Sequence, residues 1–255
     1  MNVWGSRVRP VSPDRALAAL LLKTGIMGRA ERQLISKIVA PGHCVVDVGA
    51  NQGVFTLLLS RLVGPEGRVL ALEPDPAMFA SLDENCLCNN ARNVSRLQAA
   101  AGARRSQGML RRSAFNRGDN RMLASQRGPS VPVEIVSLDD VLPTGNVDFI
   151  KIDVQGYELS VVTGMEAVLE RSPRIRVFFE YWPAGLLAAG SVPSDLLEFF
   201  RSRGFSLLEL SRAGLRPVAD GGTARPASVA YWSWRNFLAV RESDVGCGLS
   251  TVNVS

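Results

Sequence analysis

The chain of 255 residues has a single histidine, four cysteines and only three lysines among its 29 basic side chains. Cys44, Cys86, Cys88 and Cys247 are too few and too scattered for a disulfide framework, so free thiols are expected. Cys86 and Cys88 sit two apart on an expected helix, where side chains diverge, and no histidine cluster accompanies them. A shared metal is therefore not expected there. The first sizeable apolar stretch, Ala16–Leu22, is closed by Lys23 and is far shorter than the roughly 20 residues that cross a bilayer. No membrane span and no export signal are read, which makes the cytoplasm the expected compartment.

What is present is an ordinary globular composition, with 46% hydrophobic and 21% charged residues, enough for one large core. The net charge of +5 is concentrated: residues 101–128 hold Arg104, Arg105, Arg111, Arg112, Arg117, Arg121 and Arg127 against Asp119. The rest of the chain is close to neutral. Positive charge is thus a local feature, and overall basicity is no argument for a nucleic-acid partner.

Three divisions are expected: a helical lead-in over 1–40, a catalytic domain over 41–241 carrying the Arg-rich insertion 101–128, and a frayed tail over 242–255. In the lead-in, Leu17, Leu20, Leu21, Leu34, Ile35 and Ile38 recur at helical spacing, with a break near Gly25–Gly28. Beyond Pro41-Gly42, apolar β-branched runs at 44–48, 68–72 and 94–99 alternate with helical segments at 53–63 and 76–90. A short strand at 131–136 follows the insertion. Alternation then resumes with strands at 147–152, 175–179, 206–210 and 236–240, and helices at 158–170 and 194–203. Strand and helix in alternation imply an α/β fold with a mostly parallel sheet.

Strand 44–48 runs into Asp47-Val48-Gly49-Ala50-Asn51-Gln52-Gly53. Its glycines permit a tight turn, and a helix opening there would offer unpaired N–H groups to a ligand. The dinucleotide pattern Gly-x-Gly-x-x-Gly is missing, and the Asp47 carboxylate would repel a pyrophosphate while favouring an ammonium and a nearby positive centre. S-adenosylmethionine has both. Glu73 ends the next strand, where an acid can accept both ribose hydroxyls.

Val46-Asp47-Val48-Gly49-Ala50-Asn51-Gln52-Gly53, Leu72-Glu73-Pro74, and Ile150-Lys151-Ile152-Asp153-Val154-Gln155-Gly156-Tyr157-Glu158 together resemble the signature blocks of FkbM-type S-adenosylmethionine-dependent methyltransferases. The resemblance spans about residues 31–240. It implies a Rossmann-like class I methyltransferase fold, a seven-stranded sheet with its last strand antiparallel, helices on both faces, and O-methylation of sugar or polyketide hydroxyls. Gln155 and Tyr157 stand where family members often carry Glu and His, so no role is carried over to them.

The expected cofactor set is Asp47, Gly49, Ala50, Asn51, Gly53, Glu73, Pro74 and Asp153. A hydroxyl acceptor needs a base, and His43 lies at the wrong end of its strand. The remaining candidates are the carboxylates Asp153, Glu180 and Glu158, with Lys151 beside Asp153 to tune its charge or position the acceptor. A buried structural pairing of Lys151 with these acids is the competing account. Converging carboxylates could also hold Mg²⁺, a secondary reading, and no metal ligand is assigned. Tyr181-Trp182 would either line the pocket or pack in the core, and the arginines would either hold an acceptor's phosphate or remain a solvated mobile segment.

The acceptor is expected to be a small molecule or glycan: a hydroxyl on a sugar, glycoconjugate or secondary metabolite. Ribose methylation or binding of RNA through the basic insertion is the alternative, and a nicotinamide-dependent oxidoreductase is a third, which Asp47 disfavours.

Overall fold

The computed structural model describes residues 1–10, 28–112, 121–122, 130–142, 144–211, 213–218 and 234–244. The expected helix before residue 28, Arg117 and Arg127 of the insertion, Cys247 and most of the tail lie outside the described residues.

The chain opens with β1 (Asn2–Val3) and β2 (Ser6–Arg7), an antiparallel hairpin and not the helix expected of the lead-in. Its backbone is held by two asparagines: Asn85 Oδ1 accepts from the Arg9 amide at 2.8 Å, and Asn89 Oδ1 accepts from the Arg7 amide at 2.8 Å. Helix α1 (Arg29–Ile38) buries Leu34, Ile35 and Ile38 on one side, as its spacing predicts. Then come β3 (Cys44–Val48), α2 (Val54–Val63), β4 (Arg68–Leu72), α3 (Pro76–Cys88) and β5 (Val94–Leu97). Asp75 caps α3, accepting from the amides of Ala77 and Met78, and Pro76 fills the first turn, where its missing N–H costs nothing.

The Arg-rich region builds a sheet of its own from β6 (Ala100–Ala101), β7 (Ser106–Arg111), β8 (Arg121–Met122) and β9 (Ser130–Val136), in the order β6-β9-β7-β8. Leu110, Met122, Val133 and Ile135 form its small core. A short helix α4 (Leu138–Val141) leads to β10 (Phe149–Ile152).

A single helix over 158–170 is expected, but the chain forms α5 (Glu158–Thr163) and α6 (Glu166–Arg171). The break falls at Gly164 and Met165. A Cβ on Gly164 would lie 2.0 Å from the Gly102 carbonyl oxygen, so only glycine lets the backbones pass this closely. Asp139 restarts the helix, accepting from the Ala167 and Val168 amides at 3.2 and 2.8 Å.

Next follow β11 (Arg176–Tyr181), α7 (Pro183–Ala188), α8 (Pro193–Arg201), β12 (Phe205–Ser211), β13 (Gly214–Pro217) and β14 (Arg235–Arg241). The main sheet runs β13-β12-β14-β11-β10-β3-β4-β5, and β14 is antiparallel to both of its neighbours. This is the expected sheet with one strand more, β13, which pairs antiparallel with β12 at the edge.

Strand alternation sorts the core into two layers. Val45, Phe149, Phe178 and Leu238 pack with α1, α2 and α3, while Val46, Ile150, Phe179 and Phe237 pack with the helices of the other face. Both faces are covered, which is why these strands read as uninterrupted apolar runs.

Candidate active site

Register places the site. Val48 pairs with Leu72 and with Ile152, and Ile152 pairs with Phe179, so these four form one row across β4, β3, β10 and β11. The next residue on each strand is Glu73, Gly49, Asp153 and Glu180. Sheet order reverses between β3 and β10, and open α/β sheets bind ligands beyond the carboxyl ends at such a point.

The glycine loop is tightly built. Gly49 has φ +79°, and a Cβ on it would lie 2.0 Å from the Asp153 carbonyl oxygen, so the loops after β3 and β10 touch through backbone. Asn51 also has positive φ, at 51°. The first turn of α2, entered through Gly53, carries no side-chain cap, as expected of a helix that could present its amides. The amides of the loop before it are taken: Gly49 and Ala50 donate to Leu72 O at 3.0 Å, and Gly53 donates to Ala50 O at 2.9 Å. Asn51 donates to Glu73 Oε2 at 2.8 Å and Gln52 to Asn51 Oδ1 at 2.8 Å. What residues 49–53 offer a ligand is therefore their carbonyls, side chains and shape, beside the uncapped first turn of α2.

Glu73 is buried, and its other oxygen accepts from the Asp75 amide at 2.9 Å. Burial pushes its carboxyl up to about 7, against the opposing pull of the two backbone donors, with Asp75 and Asp47 adding to the rise. Each carboxylate oxygen retains lone-pair capacity for a further donor. Pro74 is half-buried between Glu73 and the cap Asp75.

Asp47 is fully buried. Thr56 Oγ1 donates to its Oδ2 at 2.6 Å, and its Oδ1 lies 3.6 Å from Lys151 Nζ. It does not face solvent. Lys151 is its cross-strand partner, and the Lys151 ammonium also lies 3.3 Å from Asp153 Oδ2 and 5.0 Å from the centre of the Phe55 ring. Burial alone would lower the lysine; Asp153 and Asp47, with Glu180 behind them, outweigh it and raise its pKa above the ordinary 10.5.

Asp153 is the open member of this group, with 39% of its side chain exposed. Gln155 joins it to Glu180: Nε2 donates to Asp153 Oδ1 at 2.9 Å and to Glu180 Oε2 at 3.0 Å. Gln155 holds a left-handed backbone, φ 56°, and Gly156 follows at φ 105° with its Cα against Gly185. Lys151, Asp153 and Glu180 are thus brought together as expected from their strand ends.

Glu158 is not part of that convergence. It is fully buried, with Oε1 accepting from the Val154 and Gly156 amides at 3.3 and 3.1 Å. Its Oε2 has no hydrogen-bond partner among the described residues, and burial pushes the carboxyl up to about 7. It braces the turn that presents Gln155. Among the described residues no group of three or more His, Cys, Asp and Glu side chains is arranged to hold a metal ion.

Tyr181 and Trp182 are buried and do not form an open wall: Tyr181 packs edge-on against Phe237, and Trp182 lies under the Arg121 guanidinium at 4.2 Å. Like Arg121, two further arginines of the insertion are engaged. Arg112 forks onto Asp75 at 2.7 and 3.3 Å, and Arg105 meets Glu134 at 2.5 Å. His43 sits at the opposite end of β3, accepting from the Ala40 amide.

Sequence reasoning missed Asn85, Arg112 and the bridging role of Gln155. Asn85 Nδ2 donates to Gln52 O at 2.9 Å and pins the loop from α3. Its signal was available: a polar residue on the buried stripe Met78, Ser81, Leu82, Cys86. Nothing local marks the other two, whose partners come from elsewhere in the fold.

Comparison with known proteins agrees with this geometry. The methyltransferase FkbM domain family matches residues 47–207. Methyltransferase sdnD of Sordaria araneosa is 28% identical over 209 aligned positions, covering 63% of this chain and 79% of that protein. The 31-O-demethyl-FK506 methyltransferase FkbM of Streptomyces tacrolimicus is 30% identical over 168, covering 53% of this chain and 64% of its own length. In fold, the chain resembles a putative rRNA-methylase from Clostridium thermocellum, with TM-score 0.53 at 12% identity over 82% of this chain and 92% of that one. The O-methyltransferase TomG of Streptomyces achromogenes gives TM-score 0.50 at 14% identity, covering 85% and 79%. With the family match spanning more than half of the chain and all four strand ends of the site, the chain belongs to the FkbM methyltransferase family.

Proposed function

We propose that this methyltransferase uses S-adenosylmethionine to methylate a hydroxyl of a sugar, glycoconjugate or secondary metabolite. The observation that carries this is the row Glu73, Gly49, Asp153, Glu180, with Glu73 on one side of the switch point and Asp153 and Glu180 on the other, a layout that supports ribose binding at the first and acceptor chemistry at the second. The Glu73 carboxylate suits a ribose diol, because two further donors would offset the burial that now disfavours its charge. When bound, the cofactor supplies an electrophilic methyl on a sulfonium.

The protein's own part is alignment and proton removal. The close contact of Gly49 with the Asp153 carbonyl fixes the two halves of the crevice against each other, which is what an in-line displacement demands. Asp153 or Glu180 accepts the hydroxyl proton, and the Lys151 ammonium holds negative charge beside Asp153. The name of the Streptomyces tacrolimicus relative refers to an oxygen position, which favours oxygen as the acceptor atom here.

Calorimetric titration with S-adenosylhomocysteine and with NAD tests the cofactor: the first binds and the second does not, and the reverse result sinks the proposal. Incubating candidate glycan and metabolite pools with labelled cofactor should yield a product heavier by one CH₂. E180Q should keep cofactor binding, and either E180Q or D153N should lose methylation by roughly 10²-fold or more, the range typical of a missing general base. Activity that survives exhaustive EDTA treatment would remove the Mg²⁺ version.

A further inference from the structure

We infer that Gln155 is a positioning residue whose side-chain amide takes, between Asp153 and Glu180, the place a divalent cation would otherwise fill. Two carboxylates that meet at the mouth of a crevice repel each other, and proteins relieve this with a cation, a shared proton or a donor that serves both. Here the third solution is on view. One Nε2 reaches Asp153 Oδ1 at 2.9 Å and Glu180 Oε2 at 3.0 Å, which uses each of the two amide hydrogens once. Which end of the amide faces the acids is fixed by chemistry, since two carboxylates accept and only nitrogen donates.

The backbone is built to hold this amide. A non-glycine residue at φ 56° is uncommon, and it persists where surrounding contacts overdetermine it. Those contacts are Gly156, whose missing Cβ lets it press against Gly185, and Glu158, whose buried Oε1 gathers the amides on either side of Gln155. Asp153 Oδ2 is already served by Lys151 at 3.3 Å, so the Gln155 bridge leaves each acid in one orientation. An amide nitrogen does not ligate a cation, so a metal entering between the two acids would first have to expel this side chain.

The inference rests on Asp153 and Glu180 being the acceptor-side carboxylates, and its test is a metal-binding comparison that needs no acceptor. The probe is Mn²⁺ alone, followed by electron paramagnetic resonance and calorimetry on the full chain. Wild type should show no stoichiometric site. Q155E exchanges the bridging donor for a third carboxylate and should bind one Mn²⁺ at least tenfold more tightly, and adding E180Q should abolish that site. Should Q155E fail to fold, Q155A opens the same gap without new charge, and its Mn²⁺ site should vanish on adding D153N. A wild-type Mn²⁺ site that D153N or E180Q removes overturns the inference, as does the absence of any site in a folded Q155E or Q155A. S-adenosylhomocysteine titrated into the same wild-type preparation reports on the methyltransferase proposal separately.

Discussion

Two buried carboxyls, Glu73 and Glu158, hold their protons in the folded chain up to about 7, while the unfolded chain releases them near the ordinary 4.5. The folded state therefore binds more protons between those values, and stability falls as pH rises from about 4.5 to about 7 before levelling. E158Q keeps the acceptor for Val154 and Gly156 and cannot ionise, so urea unfolding should show a shallower fall and a gain at pH 8 of at most about 3 kcal/mol. Glu73 differs in that a ligand can reward its ionised form. If a ribose diol donates to it, S-adenosylhomocysteine affinity should rise up to tenfold per unit of pH below about 7 and flatten above, and E73Q should lose both the affinity and the pH dependence. An E73Q protein that binds normally would remove Glu73 from the cofactor site.

At the scale of elements, the loops after β3 and β10 are one construction. Gly49→Ala must both hold φ +79° and clear a carbonyl oxygen 2.0 Å away, and that oxygen belongs to backbone that cannot swing aside. The expected cost is roughly 2–4 kcal/mol, with loss of S-adenosylhomocysteine binding. Gly145→Ala is the control, with φ +82° and nothing within 4 Å, and should cost only about 1–2 kcal/mol of backbone strain. Chemical denaturation of the pair separates contact from conformation. Sequence alone could announce that Gly49 and Gly53 turn the chain, because glycine spacing is local chemistry. It could place Asp153 and Glu180 at strand ends for the same reason. It could not show that Gln155 reaches Glu180, that Arg112 clasps Asp75, or that Gly102 presses against Gly164, since each of these partners arrives from a distant segment. Nor could it show that Gly49, Ala50 and Asn51 spend their amides on Leu72 and Glu73 of the neighbouring strand.

For the whole molecule, the position of β14 decides whether the fold closes. It is the last strand among the described residues, yet it lies between β11 and β12, pairing antiparallel with both from Arg235 to Arg241. Phe237, Leu238, Ala239 and Val240 are buried on the two faces of the sheet, so this strand joins both core layers at once. Asn236 adds a tie to α1, donating to Glu31 Oε1 at 2.9 Å. Without β14, the β12–β13 hairpin would have no ladder to join, and β11, with Glu180 near its end, would become an exposed apolar edge that invites aggregation. A chain ended after residue 233 should therefore be insoluble or lack a cooperative urea transition, and should bind no S-adenosylhomocysteine although every candidate site residue is retained. A truncated protein with a native-like transition would mean that the sheet closes without its central antiparallel strand, and that the carboxylate pair is held by its loops alone.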